Sequence, residues 1–257
     1  MPGGETGECA ASGAGATLIS GASSGIGEAI ARRLLDAGGT VVDIDRQPPR
    51  LRAAGLHYIA ADLSDPAATA AAAREAAAEF GFRGLVNNAG ANRPALLEDV
   101  TMADFDYLMN LHVRASLLLA QAVVPSMRRA KFGRIVNIAS RAVQGIPYRT
   151  VYGAAKAALV GFTRTWALEL GGDGITVNAI APGPIATDLW RNTRSVIGQD
   201  PSGRAPADVL KSVVAGRMGT PDEVAAAAQY LLSRDSAFVT GQVLHVCGGA
   251  SIGAAAW

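Results

Sequence analysis

Ala16-Thr17-Leu18-Ile19-Ser20-Gly21-Ala22-Ser23-Ser24-Gly25-Ile26-Gly27 is the stretch that decides the fold. Its first five residues form a short, largely apolar run that stops at a glycine, the pattern of a buried parallel strand. Glu28 to Leu35 then carries helical periodicity. Strand, glycine-rich turn and helix in direct succession open a mononucleotide-binding unit. Glycines let the backbone turn tightly and come close to a pyrophosphate, which then rests on the helix N-terminus. The spacing here is G-x-x-x-G-x-G, a variant of the commoner G-x-G-x-x-G.

Working outward, Thr40 to Asp45 reads as a second strand, closed by Arg46 and the breaker Pro48-Pro49. Asp45 lies where an acidic strand end meets an adenosine ribose. A carboxylate there accepts hydrogen bonds from the ribose hydroxyls and repels a 2′-phosphate, which favours NAD. Arg46 beside it would accommodate that phosphate and leaves NADP open. An ordinary strand-end turn residue is the other reading of Asp45. Asp43 alternates to the opposite side of the strand.

Further along, His57 to Ala60 is a third short strand, closing on Asp62-Leu63, and Pro66 to Phe80 is an alanine-rich helix. Gly84 to Val86 is a strand ending in Asn87-Asn88-Ala89-Gly90, polar amides and a glycine where a crevice ligand would meet them. Met102 to Arg129 is a long helical segment. It contains Asn110, whose type is unfavourable in mid-helix and suggests a buried role, and His112, read as a satisfied structural residue. Phe132 to Ile138 is a strand delivering Ser140, and Ile175 to Ile180 is another, ending at Pro182-Gly183-Pro184. Such alternation predicts an α/β fold: a doubly wound parallel sheet, Rossmann-like, with helices on both faces in three layers.

The chain has 257 residues, enough for one large α/β domain. No linker divides the middle, so residues 16–257 are expected to form a single dinucleotide-binding catalytic domain behind a disordered tail at 1–15. A net charge of +1 with 18% charged residues argues against nucleic acid as the main partner. Cys9 and Cys247 stand far apart with no partner motif, so neither a disulfide framework nor a metal site is expected, and a reducing cytoplasm is the natural compartment. No signal peptide is evident, and no apolar run approaches the roughly 20 residues of a membrane span. A soluble protein with no membrane partner is expected.

Val151-Tyr152-Gly153-Ala154-Ala155-Lys156 supplies the chemistry. The apolar Ala157, Ala158, Leu159 and Phe162 make it the opening of a helix, and positions i and i+4 then share a face. A phenol with a reference pKa of about 10 is a poor base near neutral pH. A neighbouring ammonium favours the phenolate, so Tyr152 beside Lys156 is expected to handle a proton near physiological pH.

Taken together, these residues resemble the short-chain dehydrogenase/reductase family in its compact single-domain form, from Thr17 to Gly249. The resemblance rests on Gly21, Gly25 and Gly27, on Asn87-Asn88-Ala89-Gly90, on Ser140, on Tyr152-x-x-x-Lys156, and on Pro182-Gly183 with Thr187. It implies an oxidoreductase that interconverts a secondary alcohol and a ketone with NAD, NADP being the less favoured acceptor. Ser140 would orient the substrate oxygen and Tyr152 would be the general acid/base. Lys156 would hold the nicotinamide ribose, and Asn110 would hold a water in the proton relay. Gly21, Ser23, Ser24, Gly25, Ile26 and Gly27 would cradle the pyrophosphate, with Asp45 and Arg46 at the adenosine ribose. Asp62 and Leu63 would face the adenine. Asn88, Ala89 and Gly90 would meet the neighbouring ribose, and Pro182, Gly183, Ile185 and Thr187 the nicotinamide.

Three departures stand out: twelve positions, where many members have thirteen, separate Ser140 from Tyr152; Cys247 replaces a usual Asp; and Ser20 replaces a common Thr. The loop from Arg141 to Val151, including Tyr148, would line the substrate pocket. Residues 188–215, with Trp190, resemble the family's variable lid. Arg141, Arg149, Arg191 and Arg194 either converge on the pocket mouth, favouring an anionic substrate, or lie on the surface. Members of the family pair long helices between subunits, so Met102–Arg129 and Tyr152–Gly171 imply a homotetramer, with a dimer next; the strand Gln242 to Val246 would form another contact. A 3-oxoacyl-thioester reductase is the enzymatic alternative, and a non-catalytic dinucleotide-sensing subunit the more distant one.

Overall fold

The structure, a computed structural model, describes residues 15–191 and 211–253. Residues 1–14, Arg194 and the greater part of the expected lid lie outside the described residues. Seven strands make one parallel sheet: β1 (Ala16–Ser20), β2 (Val41–Asp45), β3 (Leu56–Ala60), β4 (Phe82–Asn87), β5 (Gly133–Ile138), β6 (Ile175–Pro182) and β7 (Val243–Val246). Their order across the sheet is β3-β2-β1-β4-β5-β6-β7, every neighbouring pair parallel. The strand order therefore reverses between β1 and β4, which opens a crevice at the carboxyl ends of those strands. β5 and β6 are buried along their entire lengths, as a sheet covered on both faces requires.

The helices that lie wholly within the described residues include α1 (Gly25–Asp36), α2 (Pro66–Glu79), α3 (Met102–Met109), α4 (Ala115–Ala130), α5 (Thr150–Leu170) and α6 (Pro221–Leu232). Helices α1 and α6 cover one face of the sheet around Ile19, Ile30, Val86, Val136 and Leu231. On the other face, α2, α4 and α5 close over Leu18, Phe82, Leu85, Leu119 and Ile135. A bidentate pair of hydrogen bonds from Arg33 to Asp222 ties α1 to α6 at the surface.

Where the sequence predicts one helix from Met102 to Arg129, a π-helical turn, Asn110–Arg114, separates α3 from α4. Helix α6 has no counterpart in that reading, although its signal is plain. Thr220 caps Glu223 and is capped by it in return, with Pro221 at the first helical position. The segment Met102–Ala130 is long and apolar enough, on average, to cross a bilayer, contrary to the expectation that no stretch qualifies. Its apolar residues are those of a helix set against a sheet: Leu119, Ala120, Val123 and Met127 all face the core.

Candidate active site

The glycine turn is built to admit something close to its backbone. Gly21 holds φ at +77° and Gly25 at +59°, values that side chains disfavour. A Cβ on Gly27 would fall 2.1 Å from the Gly21 carbonyl oxygen. Helix α1 can pack this tightly on the turn only with glycine there. The segment after β4 then locks the turn in place. Asn88 donates through its amide to the carbonyls of Ser20 and Gly21, while the Asn88 and Ala89 N–H groups donate to the Ser20 hydroxyl. Ser20 thus uses its hydroxyl, which explains why the exchange of Thr for Ser at this position is tolerated by the geometry.

Asp45, at the carboxyl end of β2, accepts from the Ser23 hydroxyl and amide and from the Gln47 amide. It stands at the rim of the crevice with Arg46 beside it. Asp43 points into the interior, where its carboxylate accepts from the Ala22 amide while the second oxygen has no partner. Burial pushes its pKa up to about 7, against the pull of the Ala22 amide. Asp62 turns to Ser64, whose hydroxyl and amide hold its carboxyl below the usual range.

These groups line one end of a cleft of about 460 Å³, and the other end holds the chemistry. Ser140, Tyr152 and Lys156 all face it, delivered by the end of β5 and the first turns of α5. Ser140 accepts from the Ala142 amide and bonds with the Tyr152 phenol. Lys156 is buried and donates 2.7 Å to the Ile138 carbonyl. Ser23, Ser24, Ile26, Leu63, Ala89, Gly90, Pro182, Gly183, Ile185 and Thr187 complete the wall on which a ligand would rest. Gly27 lies beneath it.

The electrostatics depart from the simple expectation that the Lys156 ammonium lowers the phenol's pKa. Burial raises Tyr152, and the groups that oppose this are the Ser140 hydrogen bond and the Arg149 guanidinium, 5.9 Å from the ring centre. Lys156 is itself pushed down to about 7 by burial.

Two other expected site residues stand apart from the cleft wall. Asn110 does not line the cleft; its carbonyl oxygen accepts from Arg114 on the exposed side of the helix. The π turn brings His112 to the cleft wall instead, with its ring edge-on to Tyr152 at 5.5 Å. A mid-helix asparagine and a histidine two residues on cannot be told apart by a period of 3.6, because the π turn shifts the phase. Tyr148, in the left-handed region at φ +64°, turns out of the cleft into a neighbouring groove beside Leu97 and Pro147.

Of the four arginines, the three described ones do not all converge. Arg149 and Arg141 line the cleft, the latter donating to the Ala250 carbonyl, and Trp190 lines it too. Arg191 is exposed and pairs with Asp188.

Residues 21–251 match the family model described as enoyl-(acyl carrier protein) reductase. The chain is 40% identical over 245 residues to (2S)-[(R)-hydroxy(phenyl)methyl]succinyl-CoA dehydrogenase subunit BbsD of Thauera aromatica, covering 91% of this chain and 96% of that protein. The chain belongs to the short-chain dehydrogenase/reductase family. The 3-oxoacyl-[acyl-carrier-protein] reductase FabG of Thermotoga maritima is 35% identical over 90% of this chain and 96% of its own. Among solved structures, levodione reductase superposes with a TM-score of 0.84 at 32% identity, over 92% of this chain and 97% of that one. As a member of the short-chain dehydrogenase/reductase family, the protein is an oxidoreductase that interconverts an alcohol and a carbonyl compound with a nicotinamide dinucleotide. The bare glycine turn and the ribose-end carboxylate fit that cofactor.

Proposed function

We propose that the preferred substrate is a secondary alcohol or its ketone and the preferred cofactor NAD. The observation that carries this reading is the convergence of Ser140, Tyr152 and Lys156 at one end of a cleft whose other end carries Asp45. The dinucleotide supplies the hydride acceptor; the chain supplies everything else. Ser140 and Tyr152 hold the substrate oxygen, and Tyr152 takes the hydroxyl proton during oxidation or returns it during reduction. Lys156, buried beside them, would hold the nicotinamide ribose. For the cofactor, Asp45 is preset by Ser23 to accept from ribose hydroxyls and repels a 2′-phosphate.

The test is turnover, read from the absorbance of the reduced nicotinamide, against secondary alcohols and ketones with NAD and NADP in parallel. NAD is expected to give the higher kcat/KM. Asp45→Ser should reverse or flatten that preference by about tenfold, or ~1.4 kcal/mol. An unchanged preference would remove Asp45 from the specificity argument.

A 3-oxoacyl-thioester reductase is a second reading, supported by relatives whose names carry CoA and acyl-carrier-protein substrates. Faster turnover of a 3-oxoacyl thioester with NADPH than of any free ketone would select it. Absence of turnover with every substrate, despite tight dinucleotide binding, would instead select the sensing subunit.

A homotetramer is part of the proposal. Phe105, Leu117 and Leu168 are exposed apolar residues on α3, α4 and α5, and Phe238 and Leu244 are exposed near and on β7. Covering them removes apolar surface from water. Light scattering behind size exclusion is expected to give four chains; a monomer at micromolar concentration would refute this.

A further inference from the structure

Asp43 is a buried carboxylate beneath the crevice that no step above employs. It is 0% exposed, in the middle of β2. Its register partners are Ile19 on β1 and Tyr58 on β3. Val41, on the same side of the strand, packs with Ile30 of α1 in the apolar core. An aliphatic side chain would fill the place of Asp43 without the cost of burying a charge. One of its oxygens, Oδ1, accepts from the Ala22 amide at 2.8 Å. The other, Oδ2, is buried and meets no donor among the described residues. Asp45, two residues on, accepts from the Ser23 amide at 3.3 Å and from the Ser23 hydroxyl. The glycine turn therefore hangs from two carboxylates of one strand, Ala22 from the buried one and Ser23 from the one at the rim.

We propose that Asp43 is a positioning residue of the dinucleotide turn that works by proton uptake: Oδ1 fixes the Ala22 amide, and Oδ2 takes a proton from solvent when the dinucleotide settles on the turn. The proposal rests on the glycine turn being the seat of the pyrophosphate and not on which substrate is turned over. One carboxylate and one solvent proton give one carboxyl group, and no other bond changes. An ionised Asp43 sets a negative charge one hydrogen bond away from the turn that would meet an anion. A neutral Asp43 removes that repulsion while its carbonyl oxygen still accepts from Ala22. Burial pushes its pKa up to about 7, against the pull of the Ala22 amide and with a smaller push from Asp45. The free protein is thus poised where a nearby anion tips the balance. The titratable groups that face Asp43 are Asp45 on its own strand and Tyr58 on β3. β1 presents Ile19, and α1 turns Gly27, Ala29, Ile30 and Ala31 inward. The charged residues of α1 pair outside, Glu28 with Arg32 and Arg33 with Asp222, and Arg46, Arg50 and Arg52 of the loop after β2 are exposed. Because the anion favours the protonated form, dinucleotide affinity is greatest below about pH 7 and declines as the pH rises through that value.

Calorimetric titration of the full chain in buffers of different protonation enthalpy counts the protons. NAD is the probe, replaced by NADP should that bind the tighter, since both carry the pyrophosphate. For the native protein, Kd is expected to be about tenfold lower at about pH 6 than at about pH 9, with about half a proton taken up per chain at about pH 7.5. Asp43→Asn keeps an acceptor for Ala22 and does not ionise. Its Kd should stay near the native low-pH value across that range, and its proton count should fall below the native one by about half a proton. Asp43→Leu removes the acceptor as well, so binding should weaken at every pH with the same loss of uptake. Equal proton counts in the native protein and the Asn variant would overturn the proposal by assigning any pH dependence to other groups, Lys156 among them. An Asn variant that bound as weakly as the Leu variant would overturn it too, since the charge and not the anchor would then be what the turn needs. Infrared difference spectra of the native protein require no variant. Binding at about pH 7.5 should replace a carboxylate band with that of a protonated carboxylic acid, and its absence would refute the uptake. A native protein that binds the dinucleotide yet turns over no alcohol or ketone defeats the substrate reading above and leaves the proton count to decide Asp43 alone.

Discussion

Replacing Tyr152 with phenylalanine is expected to lower kcat by about 10²- to 10⁴-fold, the usual worth of a positioned general acid/base. The change deletes one hydroxyl and leaves the ring, so the edge-on contact with His112 and the packing of α5 survive. What goes is the phenol that bonds to Ser140 and, in the proposed mechanism, moves the substrate's proton. Because the ring still fills its place at the nicotinamide end, dinucleotide affinity should change little. Fluorescence titration of the cofactor beside steady-state kinetics separates the two effects. A variant that kept its kcat would end the proposed role of Tyr152, and one that lost cofactor affinity and rate together would mean the hydroxyl matters for binding and not for proton transfer.

The second large effect belongs to Gly27→Ala. The added methyl would sit 2.1 Å from the Gly21 carbonyl oxygen and 2.5 Å from the Asn88 amide nitrogen. Neither neighbour can yield cheaply, since one is backbone and the other clamps the turn through two hydrogen bonds. Helix α1 must back away from the glycine turn, and the N-terminal amides that would meet a pyrophosphate move with it. Dinucleotide affinity is expected to fall by about 100-fold or more, roughly 2.7 kcal/mol. Overpacking should cost about 1–3 kcal/mol of stability besides. Gly161→Ala is the control, because nothing lies within 4 Å of a Cβ there. In the middle of α5, alanine should add about 0.5–1 kcal/mol of stability and leave binding alone. Native affinity in the Gly27 variant would mean that the helix N-terminus is not where the pyrophosphate rests.

Most of the architecture was legible because parallel strands buried on both faces announce themselves as apolar runs punctuated by glycine and polar strand ends. Ser20-Gly21, Ile44-Asp45, Asn87-Asn88 and the approach to Ser140 each mark a carboxyl edge, and all four meet at the crevice. Tyr152 and Lys156 were legible because helical spacing translates directly into a shared face. The helix before β5 was not, since a π turn leaves no mark on composition and exchanges the places of Asn110 and His112. Helix α6 was missed for a different reason. Its alanine-rich body is bland, and its capping box at Thr220 and Glu223 carries the information. The balance of charge around Tyr152 also lay beyond the sequence. Which cation opposes burial depends on the path of the loop that brings Arg149 in, and spacing does not encode that path.

The π turn also sets how this chain tolerates changes in length. Each residue of a regular helix advances the side-chain direction by about 100°, so one extra residue per turn leaves α3 rotated relative to α4. That offset lets α3 lean on α5 while α4 presents another side to β4 and α2. Deleting a single residue between Met109 and Ala115 would straighten the segment, yet it would twist Tyr107 and everything before it around the axis like a misaligned screw thread. An indel at this point is therefore a change of architecture and not of spacing.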